Sequence, residues 1–100
     1  MDVLKGCRVL ILEEQRQIAL VLAKMVEDLG CKVIGPANNV PDALRFIDEN
    51  TVDAAILDVN IGGNDTLAIA DELIERSIPF AFTSGNKTPA SIERLSLIHI

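Results

Sequence analysis

The chain has no tryptophan, no tyrosine and three phenylalanines in 100 residues. A core built from it has to be aliphatic, with little aromatic surface to fill space. Two cysteines and one histidine are too few to supply the four Cys/His ligands of a structural zinc site. Basic residues number nine against fifteen acids, for a formal net charge of -6, and they are scattered singly. Without clustered Lys and Arg the chain has no surface for a phosphate backbone, which argues against nucleic acid as a direct partner. No apolar run approaches the ~18 residues of a membrane span, and the N-terminus lacks the apolar core of a signal peptide. The expectation is a cytoplasmic protein with no membrane contact. Cys7 and Cys31 each begin an apolar segment; a disulfide between them is possible in principle, and we read both as buried free thiols of a reducing compartment.

What is present is aliphatic and periodic. The chain is 49% hydrophobic and 24% charged, enough to fill the core of one small domain. "CRVLILEE" (7–14) reads as a buried strand ending in acids. "QRQIALVLAKMVEDLG" (15–30) is the clearest helix: Ile18, Leu22, Met25, Val26 and Leu29 share one face, and Gly30 is a natural stop. "CKVIG" (31–35) reads as a second strand ended by Gly35-Pro36. Asn39 caps the next helix, with Pro41 and Asp42 suited to its first turn and Ala43, Leu44 and Ile47 as its stripe. "VDAAILDV" (52–59) is a third strand, apolar enough to be buried on both faces. A helix capped by Asn64 or Asp65 runs through Arg76 and is expected to bury Leu67, Ala70 and Leu73 or Ile74. "IPFAFTS" (78–84) is a fourth strand, and Thr88-Pro89 opens a last helix to about Leu95. No internal repeat appears. Strands alternating with helices predict an α/β fold with a parallel sheet wrapped on both faces by right-handed crossovers.

The chemistry lies at the strand ends. Asp58 is a carboxylate closing an apolar run, where an unpartnered charge is costly. In a doubly wound sheet, ligands bind beyond the carboxyl ends of the strands at a topological switch point. The first strand ends in Glu13-Glu14, the third in Asp58 with Asn60 just past it, and the fourth in Thr83-Ser84-Gly85. If the first and third strands are neighbours, three acids converge. They repel unless a cation or protons neutralise them. Mg²⁺, which takes carboxylate and carbonyl oxygens plus water, is the economical answer. Asp58 would then be an accessible, metal-flanked carboxylate, a competent nucleophile toward a phosphoryl group.

At these residues the chain resembles the receiver domains of two-component response regulators. "VLILEE", "AAILDVNIGG" and "IPFAFTSGN" are similar to three landmarks of that family, and "LG-x-x-V-x-GPA" and "ALRFIDENTVDAAILD" keep its register. The combination is more specific than any one piece. The resemblance covers about residues 7–86. It implies a flavodoxin-like, doubly wound parallel sheet with strand order 2-1-3-4, the family's fifth strand and fifth helix being absent or replaced by the tail. It also implies a phosphoacceptor at Asp58, an Mg²⁺ site at Glu13, Glu14, Asp58 and the Asn60 carbonyl, and a switch hydroxyl at Ser84, with Thr83 only its neighbour. A histidine kinase or histidine phosphotransfer protein would be the partner, and the domain would be a signalling phosphoacceptor rather than an enzyme with a separate substrate.

The sequence departs from the family in two places. Glu14 stands where the family usually has Asp, which carries the carboxylate about 1.5 Å further out. The family's Lys-Pro pair after a fifth strand has no counterpart: the lysines are Lys5, Lys24, Lys32 and Lys87, and none matches. We divide the chain into a receiver domain over 1–87 and a partial fourth helix with an atypical tail over 88–100. The tail, "RLSLIHI", reads as a foreign ending to a fragment of a longer receiver, which would leave the fourth strand at an open edge. His99 is incidental. These departures leave a second reading open, a degenerate receiver-like module that binds partners without phosphorylation. A small flavodoxin-like nucleotide binder is disfavoured, because acids stand where a Gly-rich phosphate loop would follow the first strand.

Overall fold

The computed structural model describes residues 6–58 and 65–83, without the side chains of 65 and 66. Seven elements follow in order: β1 (Arg8–Leu12), α1 (Arg16–Asp28), β2 (Lys32–Ala37), α2 (Val40–Glu49), β3 (Ala54–Asp58), α3 (Asp65–Glu75) and β4 (Phe80–Thr83). The four strands form one parallel sheet in the order β2-β1-β3-β4. This is the doubly wound, flavodoxin-like frame expected from the sequence, with β1 and β3 as central neighbours. The last helix and the tail expected over 88–100 lie outside the described residues.

Two-residue alternation explains why the strands read as continuous apolar runs. On β1, Leu10 and Leu12 join a core with α2, α3, Ala55, Leu57 and Phe80. Val9 and Ile11 face the other way and join Ile18, Leu22 and Val26 of α1. Ala54 and Ile56 of β3 fall on that same α1 side. Both faces of the central strands are covered, so neither can carry a polar residue mid-strand at low cost. Phe80 and Phe82, two of the three phenylalanines, meet edge to face at 5.4 Å on the α2–α3 side.

The helix ends follow from local chemistry. Gly30, with φ of 88°, closes α1: its N–H donates to the Glu27 carbonyl and the Cys31 N–H to the Val26 carbonyl. These are the paired bonds of a Schellman stop. Asn39 caps α2 as expected, its Oδ1 accepting from the Asp42 N–H at 2.8 Å. Arg76 ties α3 to α2, donating to Glu72 and Asp48 at 2.7 Å each and to the Ile47 carbonyl at 3.3 Å.

Two sequence expectations need correction. β2 does not end at Gly35-Pro36 but runs to Ala37. Pairing with β1 shifts between Leu10↔Ile34 and Leu12↔Ala37, so β2 carries one extra residue in a bulge. Gly35 takes φ of 95° there. Pro36 is tolerated because β2 is the edge strand. The buried stripe of α3 is Ile69, Ala70 and Leu73, not Leu67 or Ile74, which are 61% and 55% exposed. Leu67 and Ile74 are seven residues apart and share the outer face, two helical turns from one another.

Candidate functional site at the carboxyl edge of the sheet

Among the described residues, three polar or charged side chains are buried: Glu13, Asp58 and Thr83, at 1%, 2% and 1% exposure. Each stands at the carboxyl end of a different strand. Leu12 pairs with Leu57 and Asp58 pairs with Thr83, so the three form a row across β1, β3 and β4. Alternation also gives them one face. Asp58 follows Ala54 and Ile56, Thr83 pairs with it, and Glu13 continues the Val9–Ile11 side, all toward α1. A row of buried polar groups on an otherwise apolar surface is the signal of a built site, because each must be solvated by the protein itself. None of the described buried side-chain oxygens lacks a hydrogen-bond partner.

The local bonds show how the row is held. The Glu13 N–H donates to the Ala37 carbonyl at 2.9 Å, where the β2 bulge ends. Glu13 Oε2 accepts from the Gln15 N–H at 2.9 Å. Gln15 is the N-cap of α1 and makes no side-chain cap bond, so the Glu13 carboxylate takes over one of the orphan N–H groups and faces the positive end of the helix dipole. The Thr83 hydroxyl donates to the Leu57 carbonyl at 3.4 Å. That bond fastens β4 to β3 one residue before Asp58.

Glu14 is placed differently. It is exposed, although it shares with Glu13 an open groove of about 360 Å³ that also meets Arg16, Leu20, Pro36 and Asn38. Among the described residues no set of three His, Cys, Asp or Glu groups is close enough together to hold a metal ion. The structure therefore brings Glu13 and Asp58 to adjacent strand ends and leaves Glu14 at the rim. Asn60 and Ser84, the remaining expected site residues, lie outside the described residues. Arg16 and Asn38 were not singled out by sequence; only the turn of β1 into α1 and the bulge of β2 bring them beside the acids.

The donor set suits a hard cation. Every candidate ligand is an oxygen, and Mg²⁺ commonly uses one or two carboxylates while keeping several waters. Glu13 and Asp58 offer two carboxylates at adjacent strand ends.

A parallel sheet wound on both faces, with carboxylates at the carboxyl ends of its two central strands, defines a flavodoxin-like α/β domain whose site lies at the topological switch point. The chain belongs to the response regulator receiver domain family, which it matches over residues 9–97. It is similar to SdrG from Sphingomonas melonis Fr1, at 36% identity and a TM-score of 0.73 over 86% of this chain and 73% of that one. The BeF3-activated conformation of SdrG gives 35% identity and a TM-score of 0.68 over 87% and 75% of the two chains. It is also similar to the response regulator PhyR from Brucella abortus, at 26% identity and a TM-score of 0.69 over 77% of this chain. Only 32% of that PhyR chain is covered, so the present chain spans about a third of the regulator's length. A CheY-like receiver domain from Methylobacillus flagellatus shares the fold, at 23% identity and a TM-score of 0.71 over 88% and 80%. No curated protein matches the chain. Among the described residues, no helix is long and apolar enough to cross a membrane.

Proposed function

We propose that this receiver domain is the phosphoacceptor of a two-component relay, and that Asp58 takes the phosphoryl group from a histidine kinase or histidine phosphotransfer protein. The observation that supports this most is the buried row Glu13–Asp58–Thr83 on one face of the sheet edge. A carboxylate oxygen of Asp58 attacks the phosphorus; the donor's N–P bond breaks as the new O–P bond forms, and the imidazole leaves. Glu13, Glu14, Asp58 and the Asn60 carbonyl would hold Mg²⁺ there. When bound, the ion neutralises the clustered negative charge and orients the phosphoryl oxygens. Ser84 is the switch hydroxyl in this reading. Thr83 is committed to the Leu57 carbonyl, which supports giving the switch role to its neighbour. SdrG, the 36% identical relative, has a BeF3-activated conformation, and BeF3 imitates a phosphoryl group on a carboxylate.

A second reading, an interaction module that works without phosphorylation, is favoured by the exposed Glu14 and the lack of a three-acid cluster among the described residues. One experiment separates the two. Incubation with a small phosphodonor such as acetyl phosphate and Mg²⁺ is expected to add one phosphoryl mass to the intact chain, and Asp58→Asn is expected to abolish the gain. No gain at any Mg²⁺ concentration, or a gain that survives Asp58→Asn, would reject the phosphoacceptor reading.

A further inference from the structure

At the opposite end of β1 from the acids, the fold brings together the chain's only two thiols. We propose that Cys7 and Cys31 form an oxidisable dithiol that closes to a disulfide by exchange with a small-molecule disulfide. Arg8 pairs with Lys32 in the β1–β2 register, so the residues just before them, Cys7 and Cys31, stand side by side where the two strands begin. The Lys32 N–H donates to the Cys7 carbonyl at 2.7 Å, which fixes the two backbones against each other. Both side chains fall on the same, α1-facing side of the sheet. Neighbouring strands lie about 4.8 Å apart, within the Cα separation of about 4.4–6.8 Å that a disulfide bridges. Neither cysteine is in a disulfide in this structure.

Access is unequal, and that assigns the roles. Cys31 is 9% exposed and packed in the α1-side core, whereas Cys7 is only half-buried beside it. Both line an apolar groove of about 250 Å³ with Val9, Val26, Leu29 and Ala54, which can admit a small disulfide. Burial holds the Cys7 thiol above its usual pKa, and the neighbouring Cys31 and Asp53 add to the shift. Cys7 therefore rests as the protonated thiol. Exchange begins when the Cys7 thiolate attacks one sulfur of the small disulfide; that S–S bond breaks and one small thiol leaves with a proton. Cys31 then loses its proton and attacks the Cys7 sulfur, releasing the second small thiol. Two electrons pass from the protein dithiol to the small disulfide, and the chain loses two hydrogens.

The test uses the full chain, without air, in buffers of oxidised and reduced dithiothreitol at graded ratios. Intact mass and non-reducing peptide maps are the readouts. The expected result is a loss of about 2 Da and a peptide linked through Cys7 and Cys31, both reversed by excess reductant. Closing the loop between these residues should also raise the unfolding midpoint by roughly 5–15 °C. With hydroxyethyl disulfide as oxidant, Cys31→Ser should stop at a stable mixed disulfide on Cys7, and Cys7→Ser should leave Cys31 unreacted on the same timescale. Thiols that stay reduced in fully oxidising buffer, adducts on both cysteines with no internal link, or disulfides only between chains would overturn the proposal. Faster reaction at Cys31 than at Cys7 would overturn the assigned order.

Discussion

Three buried polar residues carry the account, and they differ in how far the sequence reveals them. Thr83 has a single visible task, its bond to the Leu57 carbonyl. Thr83→Val keeps the shape and removes the hydroxyl, so it should cost about 1 kcal/mol in urea unfolding. Phosphorylation from acetyl phosphate should persist, whereas a variant that lost it would move the switch role from Ser84 to Thr83. Asp58 and Glu13 were legible as candidates because a carboxylate closing an aliphatic run needs an explanation; their burial was not, and Asp58, read from sequence as accessible, is 2% exposed. The exposure of Glu14 was not legible. Glu14 lies two residues past the last paired residue of β1, where the chain turns into α1 and strand alternation no longer says which way a side chain points. The same turn brings Arg16 into the acidic groove, a neighbour that no spacing rule supplies.

Elements were easier to read than their ends. The stop of α1 and the start of α2 follow from short-range chemistry, a positive-φ glycine and an asparagine cap, and both occur where the residue types demand. Asn39→Ala removes the acceptor for the Asp42 N–H and should destabilise the domain by about 1 kcal/mol in chemical denaturation, with unchanged m-value. β2 broke the usual rule because tertiary pairing carried it past Gly35-Pro36 through a bulge. A Cβ at Gly35 would sit 2.7 Å from the Ala37 backbone nitrogen and 3.4 Å from the Ile11 carbonyl oxygen. Gly35→Ala should therefore cost about 1–3 kcal/mol, read as a lower denaturation midpoint. Because Ala37 also receives the Glu13 N–H, the same change should weaken Mg²⁺ binding; an unaffected site would show that the bulge does not position Glu13. The stripe of α3 was misjudged because its six apolar residues spread around the helix. Only contact with α2 and β3 decides that Ile69 is buried and Leu67 is not.

At the scale of the molecule, strand order does the work that no single motif could. Order β2-β1-β3-β4 places the ends of β1 and β3 together at the switch point and carries their starts, with Cys7 and Cys31 nearby, to the other edge. Alternating strands and helices made the parallel sheet readable from sequence, since right-handed crossovers leave few ways to wind such a chain; the strand order itself was implied by the resemblance to receiver domains. The sheet thus separates an acidic edge from a thiol edge. The central claim is that the acids closing β1 and β3 share one divalent cation beside the phosphoacceptor. The direct measurement is an Mg²⁺ titration followed by NMR in the full chain. The account predicts saturable shifts at Glu13 and Asp58 with one common dissociation constant, weakened by Glu13→Gln and more mildly by Glu14→Gln. Shifts that fail to saturate, or Glu13 and Asp58 responding with unrelated affinities, would contradict it.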